Sequence, residues 1–164
     1  MNKHDIQLLY QYNEWASRRI LDAAAKVTAE QFVAPSAFPF GGLRGTLTHA
    51  LSAEWVWRKR WEGESPTKHL QPEEFATFDS LQERWLEETK KLNAFVESLT
   101  DEKLNTVFQY KSLGGDPFDN ILWHMMAHVA NHSTQHRSEA AAILTDLGYS
   151  PGDLDMILFL RETK

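Results

Sequence analysis

At 164 residues and 42% hydrophobic side chains, the chain is long enough to bury one sizeable core and has the composition of an ordinary globular domain. Its net charge of −6 and its lack of a strongly basic segment argue against a nucleic-acid partner, and the absence of cysteine excludes disulfides and thiolate metal ligands. It shows neither an apolar run of about 18 residues nor a signal-like N-terminus, so a single domain over 1–164, cytoplasmic and without a membrane span, is expected.

Taken in order, the chain first predicts a helix over 5–26, capped by Asp5. Ile6, Leu9, Tyr10, Ala16, Ile20 and Ala24 recur there at helical spacing, with Asn13 on the flank as an ordinary polar residue. Thr28 and Gln31 have capping-box spacing and open a short turn that ends near Phe32. Pro35, Pro39, Gly41 and Gly42 mark a loop whose Phe38 and Phe40 pack over one end of the core. The second long helix is expected over 43–62, with Leu43, Leu47, Ala50, Trp57 and Trp61 as its stripe and Glu54 as a solvated charge in preference to a general base or a partner of a ligand. A polar loop with Pro66 and Pro72 follows. The third helix is expected over 80–99, with Leu81, Trp85, Leu92, Phe95 and Val96 inward and Glu83, Glu87, Glu88, Lys90 and Lys91 outward. Thr100 opens another short turn. Residues 104–110 have β character and 111–116 read as a turn, giving a short hairpin or extended crossover. Asp116 and Pro117 then fit the cap and first turn of a fourth long helix, which Gly148 closes. A short final helix over 154–160 turns Ile157 and Leu158 inward.

The fourth helix carries the chemistry. His124, His128, His132 and His136 follow one another at a spacing of four, which stacks them on one side of a helix about 6 Å apart. One metal with bonds of about 2 Å to nitrogen cannot reach across two turns, so at most one adjacent pair serves a mononuclear site. On a helical wheel the apolar stripe runs through Met125, Val129, Ala140, Ile143 and Leu147, with His136 at its centre and His132 close by. His128 falls further round, as a pocket wall or a partner of a ligand, and His124 falls near the surface. Four histidines in register favour a metal over hydrogen-bonded core imidazoles. A third ligand must come from another element. His49, on the second long helix, has the right placement, whereas His4 and His69, at a terminus and in a Pro-flanked loop, suit surface roles.

Four long amphipathic helices suggest an all-α four-helix bundle. YNEWASRRILDAA on the first helix, LRGTLTHALSAEWVWRKRW on the second, the Asn-His-x-x-x-His-Arg pattern at 131–137 and the Gly-x-x-Pro-x-Asp-x-Asp at 148–155 resemble the DinB/YfiT-like superfamily over nearly the whole chain. The resemblance implies a three-histidine site of His49, His132 and His136 holding a divalent ion, zinc or nickel. It also implies a homodimer, and thiol S-transferase chemistry with a low-molecular-weight thiol such as bacillithiol or mycothiol. A metal-dependent hydrolase and a non-catalytic metal-binding stress-response protein are the alternatives. Arg137 and Glu139 are open between substrate contact and structural pairing.

Overall fold

The computed structural model describes residues 1–163. Helix α1 (Lys3–Ala24) begins at Asn2, whose side chain accepts the Asp5 amide while the Asp5 carboxylate accepts the Asn2 amide. The expected cap, Asp5, is thus the returning arm of a capping box that starts three residues earlier. The box at Thr28 and Gln31 opens α2 (Ala29–Val33) as expected, and α3 spans Leu43–Trp61. One 3₁₀ turn, Pro72–Glu74, interrupts the loop before α4 (Phe78–Glu97), which Thr77 caps. A four-residue α5 (Asp101–Leu104) leads to β1 (Val107–Lys111) and β2 (Pro117–Ile121), then to α6 (Leu122–Asp146) and α7 (Met156–Glu162).

The four long helices form the expected bundle. Helix α6 packs on α1 and α3, and both of these pack on α4, so the cyclic order is α1–α6–α3–α4. The hairpin is complete rather than a crossover. Val107 pairs with Ile121 and Lys111 with Pro117, and the turn closes with the Ser112 amide donating to the Asp116 carbonyl at 2.8 Å. Pro117 therefore opens a strand and not α6, which starts at Leu122. A proline lacks the amide hydrogen that either element would leave free at its first residue, so its position alone does not separate the two. Among the described residues no helix is long and apolar enough to cross a membrane.

Two large apolar clusters fill the interior, and a smaller third one gathers Tyr12, Ala16 and Phe159. Of the large pair, one joins Leu43, Leu47 and Leu51 of α3 to Ala140, Ile143 and Leu144 of α6, and the other gathers Trp61, Met125, Met126 and Val129 near the hairpin. Between them along α6 lies a polar layer. Glu54, buried rather than solvated, accepts hydrogen bonds from Asn13 Nδ2 at 2.7 Å and Ser133 Oγ at 3.0 Å. Arg137 donates to Asn13 Oδ1 and, at 2.9 Å, to Thr134 Oγ1. Asn13 thus sits in the core and ties α1 to both α3 and α6. Burial holds the Glu54 carboxyl above the usual carboxylate range. Two further expectations fail. Glu88 is fully buried against Arg58, and Ile157 is 53% exposed while Phe159 turns inward onto Tyr12 and Trp15.

Candidate metal centre

His49 projects from α3 toward α6 and meets His132 and His136 there. The His132 Nε2 atom lies 3.3 Å from His49 Nε2 and 3.1 Å from His136 Nε2. These three are the residues of the metal-type cluster among the described residues. His128 is exposed one turn away, its ring 5.8 Å from that of His132, and His124 is exposed as well. The helical spacing thus selects the pair on the buried side, with His136 buried and His132 half-buried.

Proton counting tests whether a metal suits this arrangement. His136 Nδ1 lies 2.7 Å from Glu139 Oε2, so its hydrogen points at the carboxylate and its Nε2 carries a bare lone pair. His132 Nε2 is shared by both close contacts, and a ring nitrogen has a single site for a proton or a bond. At most one proton can therefore serve the trio, leaving facing lone pairs. A cation between them satisfies all three. Bonds of about 2.0–2.1 Å to imidazole place neighbouring ligand nitrogens about 2.9–3.4 Å apart, the spacing of both His132 contacts here. His132 Nδ1 is buried without a partner, so nothing in the protein fixes which of its nitrogens holds the proton. The donor set fits a divalent transition ion, and three protein ligands leave a position for substrate.

The surroundings keep two of the ligands, His49 and His132, neutral. Burial lowers the His49 pKa to about 4, with repulsion from His136, His132 and His69 adding to it. Burial likewise lowers His132 to about 4, with His136, His128 and His69 contributing. Both rings thus offer lone pairs at pH 7. The sign for stability follows directly. An unfolded histidine titrates near 6.5, so between about pH 4 and 6.5 the unfolded chain binds more protons than the folded one. Metal-free protein should hold its urea midpoint above pH 6.5 and lose it progressively as pH falls toward 5. Replacing His49 and His132 together with glutamine should flatten that slope, and an equal slope in the variant would show that other groups cause it.

Local structure explains how these rings are held. The Phe40 ring stacks on His49 with centroids 3.9 Å apart and meets His136 edge-on at 5.1 Å. The loop that brings Phe40 in passes so close to α3 that a Cβ at Gly45 would lie 1.9 Å from the Phe40 carbonyl oxygen. Only glycine allows that approach. Phe40 thus covers the histidine cluster rather than a bundle end alone. Behind the ligands, Ser133 and Arg137 each follow a histidine and enter the polar layer, so Arg137 is buried structure facing α1 and not a substrate contact. Glu139 resolves to the partner of His136. Replacing Glu139 with alanine should weaken metal binding about 10–100-fold in competition with a chelator, because the ring loses the group that fixes its tautomer and aim. Unchanged affinity would refute that role.

Sequence reasoning missed His69. It stands half-buried over the site, its ring 5.7 Å from that of His49 and its Nδ1 2.9 Å from Ser52 Oγ. Ser52 Oγ also accepts the Leu70 amide at 3.0 Å, which fastens this loop to α3. No periodicity in a Pro-flanked loop signals such a placement.

A family model described as DinB family matches residues 1–164. The chain belongs to the DinB family. It is also similar to Protein DinB of Bacillus subtilis (strain 168), 22% identical over 165 residues covering 95% of each chain. The family accounts for the bundle, and the three-histidine cluster between α3 and α6 gives this DinB protein a place where a metal ion can be held.

Proposed function

We propose that this protein is a metal-dependent enzyme of thiol S-transferase type. His49, His132 and His136 hold zinc or nickel, and a low-molecular-weight thiol is joined to a small electrophile beside them. The observation that carries the reading is the convergence of three Nε2 atoms with no more than one proton available among them. The homodimer that the family resemblance implies belongs to the same reading and is checked by sedimentation.

A divalent ion in this position supplies Lewis acidity, which favours the thiolate form of a thiol at neutral pH. The protein's own groups do the rest. Glu139 holds the proton on His136 Nδ1 and keeps Nε2 aimed at the cluster. Burial and mutual repulsion keep His49 and His132 unprotonated. Phe40 lies over the His49 face and limits water there. His69, fixed by Ser52, stands beside His49 at the same recess as Phe40.

Elemental analysis of protein without a histidine tag should find about one transition metal per chain, lost in His49→Ala and His136→Ala. Titrating the cobalt-substituted protein with a small thiol should then produce a sulfur-to-cobalt charge-transfer band. No band at millimolar thiol would sink the transferase reading and leave a hydrolase or a non-catalytic metal-binding protein.

A further inference from the structure

His69 is built like a metal ligand without being one of the three. A ligating histidine holds its second ring nitrogen on another group, which fixes the tautomer and aims the first nitrogen. Of the four rings at this site, His136 does so through Glu139, at 2.7 Å, and His69 through Ser52, at 2.9 Å. His132 Nδ1 has no such partner. Ser52 is buried on α3, one turn beyond His49, so it ties the loop that carries His69 to the helix that carries a ligand. Its Oγ has one hydrogen and two lone pairs. One lone pair takes the Leu70 amide, and the other can accept Nδ1–H of His69. His69 Nε2 is then a bare lone pair, and among the described residues it has no hydrogen-bond partner.

The position suits the same role. Imidazoles around one tetrahedral ion, with bonds of about 2.0–2.1 Å, have ring centres about 5 Å apart. The centres of His49, His132 and His136 are 4.3 to 5.1 Å apart, and those of His49 and His69 are 5.7 Å apart. His69 falls outside the group whose ligand atoms lie within 4.8 Å of one another, so its ring has to move inward to share an ion with them. Space lies beside it: His49 and His69 wall a common recess of about 180 Å³ with Phe40, Thr48 and Leu70. No charged side chain lines that recess, so no carboxylate competes there with the imidazole. The nearby carboxylates of α3 and α6 are engaged elsewhere, Glu54 by Asn13 and Ser133 and Glu139 by His136.

We propose that His69 is a displaceable fourth ligand. Without substrate it closes the coordination position that His49, His132 and His136 leave open. An incoming thiol takes that position from it, a metal–sulfur bond replacing the metal–nitrogen bond and the thiol proton passing to solvent. This rests on the metal and thiol reading above and gives it a resting state. The site is closed, as structural sites are, until substrate opens it.

The test uses the full-length, zinc-loaded protein without thiol. Nitrogen NMR of the imidazole rings counts the ligands, because zinc shifts each nitrogen that it binds. Four Nε2 signals should respond to zinc in the unaltered chain and three in His69→Gln, where the responses of His49, His132 and His136 show that the site is intact. Ser52→Ala keeps the ring but frees its Nδ1, and should weaken the His69 response alone. In the cobalt-substituted protein, His69→Gln should bind a small thiol about tenfold or more tightly, since no protein ligand has to leave first. A His69 ring that ignores zinc while the other three respond would overturn the proposal and leave the three-histidine centre standing. Silence from all four rings would remove the metal reading and this proposal with it. Four responding rings without a cobalt–thiol band would uphold His69 as a ligand and sink its displacement together with the thiol reading. A band of equal thiol affinity in His69→Gln would overturn the displacement and keep the thiol reading.

Discussion

Stripping the ion from metal-loaded protein is expected to lower Tm by on the order of 10 °C. An ion bound only by the folded state stabilises it by about 4 kcal/mol when its free concentration is 1,000 times Kd, and a domain of this size shifts by about 2–4 °C per kcal/mol. The leverage comes from where the ligands sit. His49 is on α3 and the other two are on α6, so one ion links two walls of the bundle at the polar layer that separates the two large apolar clusters. His136→Ala should remove most of this response. That ring is buried, and the Glu139 contact orients it before any ion arrives. The check is a thermal scan with chelator, zinc and nickel on both proteins. A Tm in the unaltered protein that ignores all three additions would reject the three-histidine site as a metal centre. A response that persists in His136→Ala would move the ion to other ligands.

The parts of this fold that could be read from sequence are those set by helical periodicity. The spacing of four and the wheel placed His132 and His136 on the inner side of α6, and the same stripe logic found the four long helices. What was misread is also on those stripes. Leu81, Trp85, Glu88 and Leu92 follow one another in core register, as do Leu47, Glu54 and Trp61, and Ile6, Tyr10, Asn13 and Ile20. Polarity outranks position in such a reading, on the rule that carboxylate and amide side chains prefer water. The rule gives way when a partner arrives from another helix, as Arg58 does for Glu88 and Asn13 and Ser133 do for Glu54. The register was the available signal; the partners were not, because they are 30 to 79 residues distant in the chain. His69 lay beyond any such argument, since loop placement depends on tertiary contacts such as the one with Ser52.

Arg58→Met is expected to cost about 3–5 kcal/mol of folding stability, read from the urea midpoint at constant m-value. Glu88 is 0% exposed, and Arg58 meets it through Nε and, at 3.0 Å, through Nη2. Removing the guanidinium leaves a carboxylate in the core with only Arg84, 3.2 Å away and on the same helix, to answer it. Arg84 is itself partly exposed, so Arg84→Met should cost about 1 kcal/mol or less. The asymmetry follows from desolvation. A charge already out of water depends on its buried partner, whereas a charge near the surface shares its partner with solvent. The same argument predicts that Arg58→Met combined with Glu88→Leu recovers much of the loss, because the pair's attraction mainly offsets its own cost of burial. A double variant no more stable than Arg58→Met alone would show instead that the unpaired carboxylate of Glu88 is not the source of the loss. Because Arg58 lies nine residues beyond His49 on α3 and contacts none of the three histidines, metal content per folded chain should stay unchanged throughout the series, which separates the scaffold of the bundle from its centre.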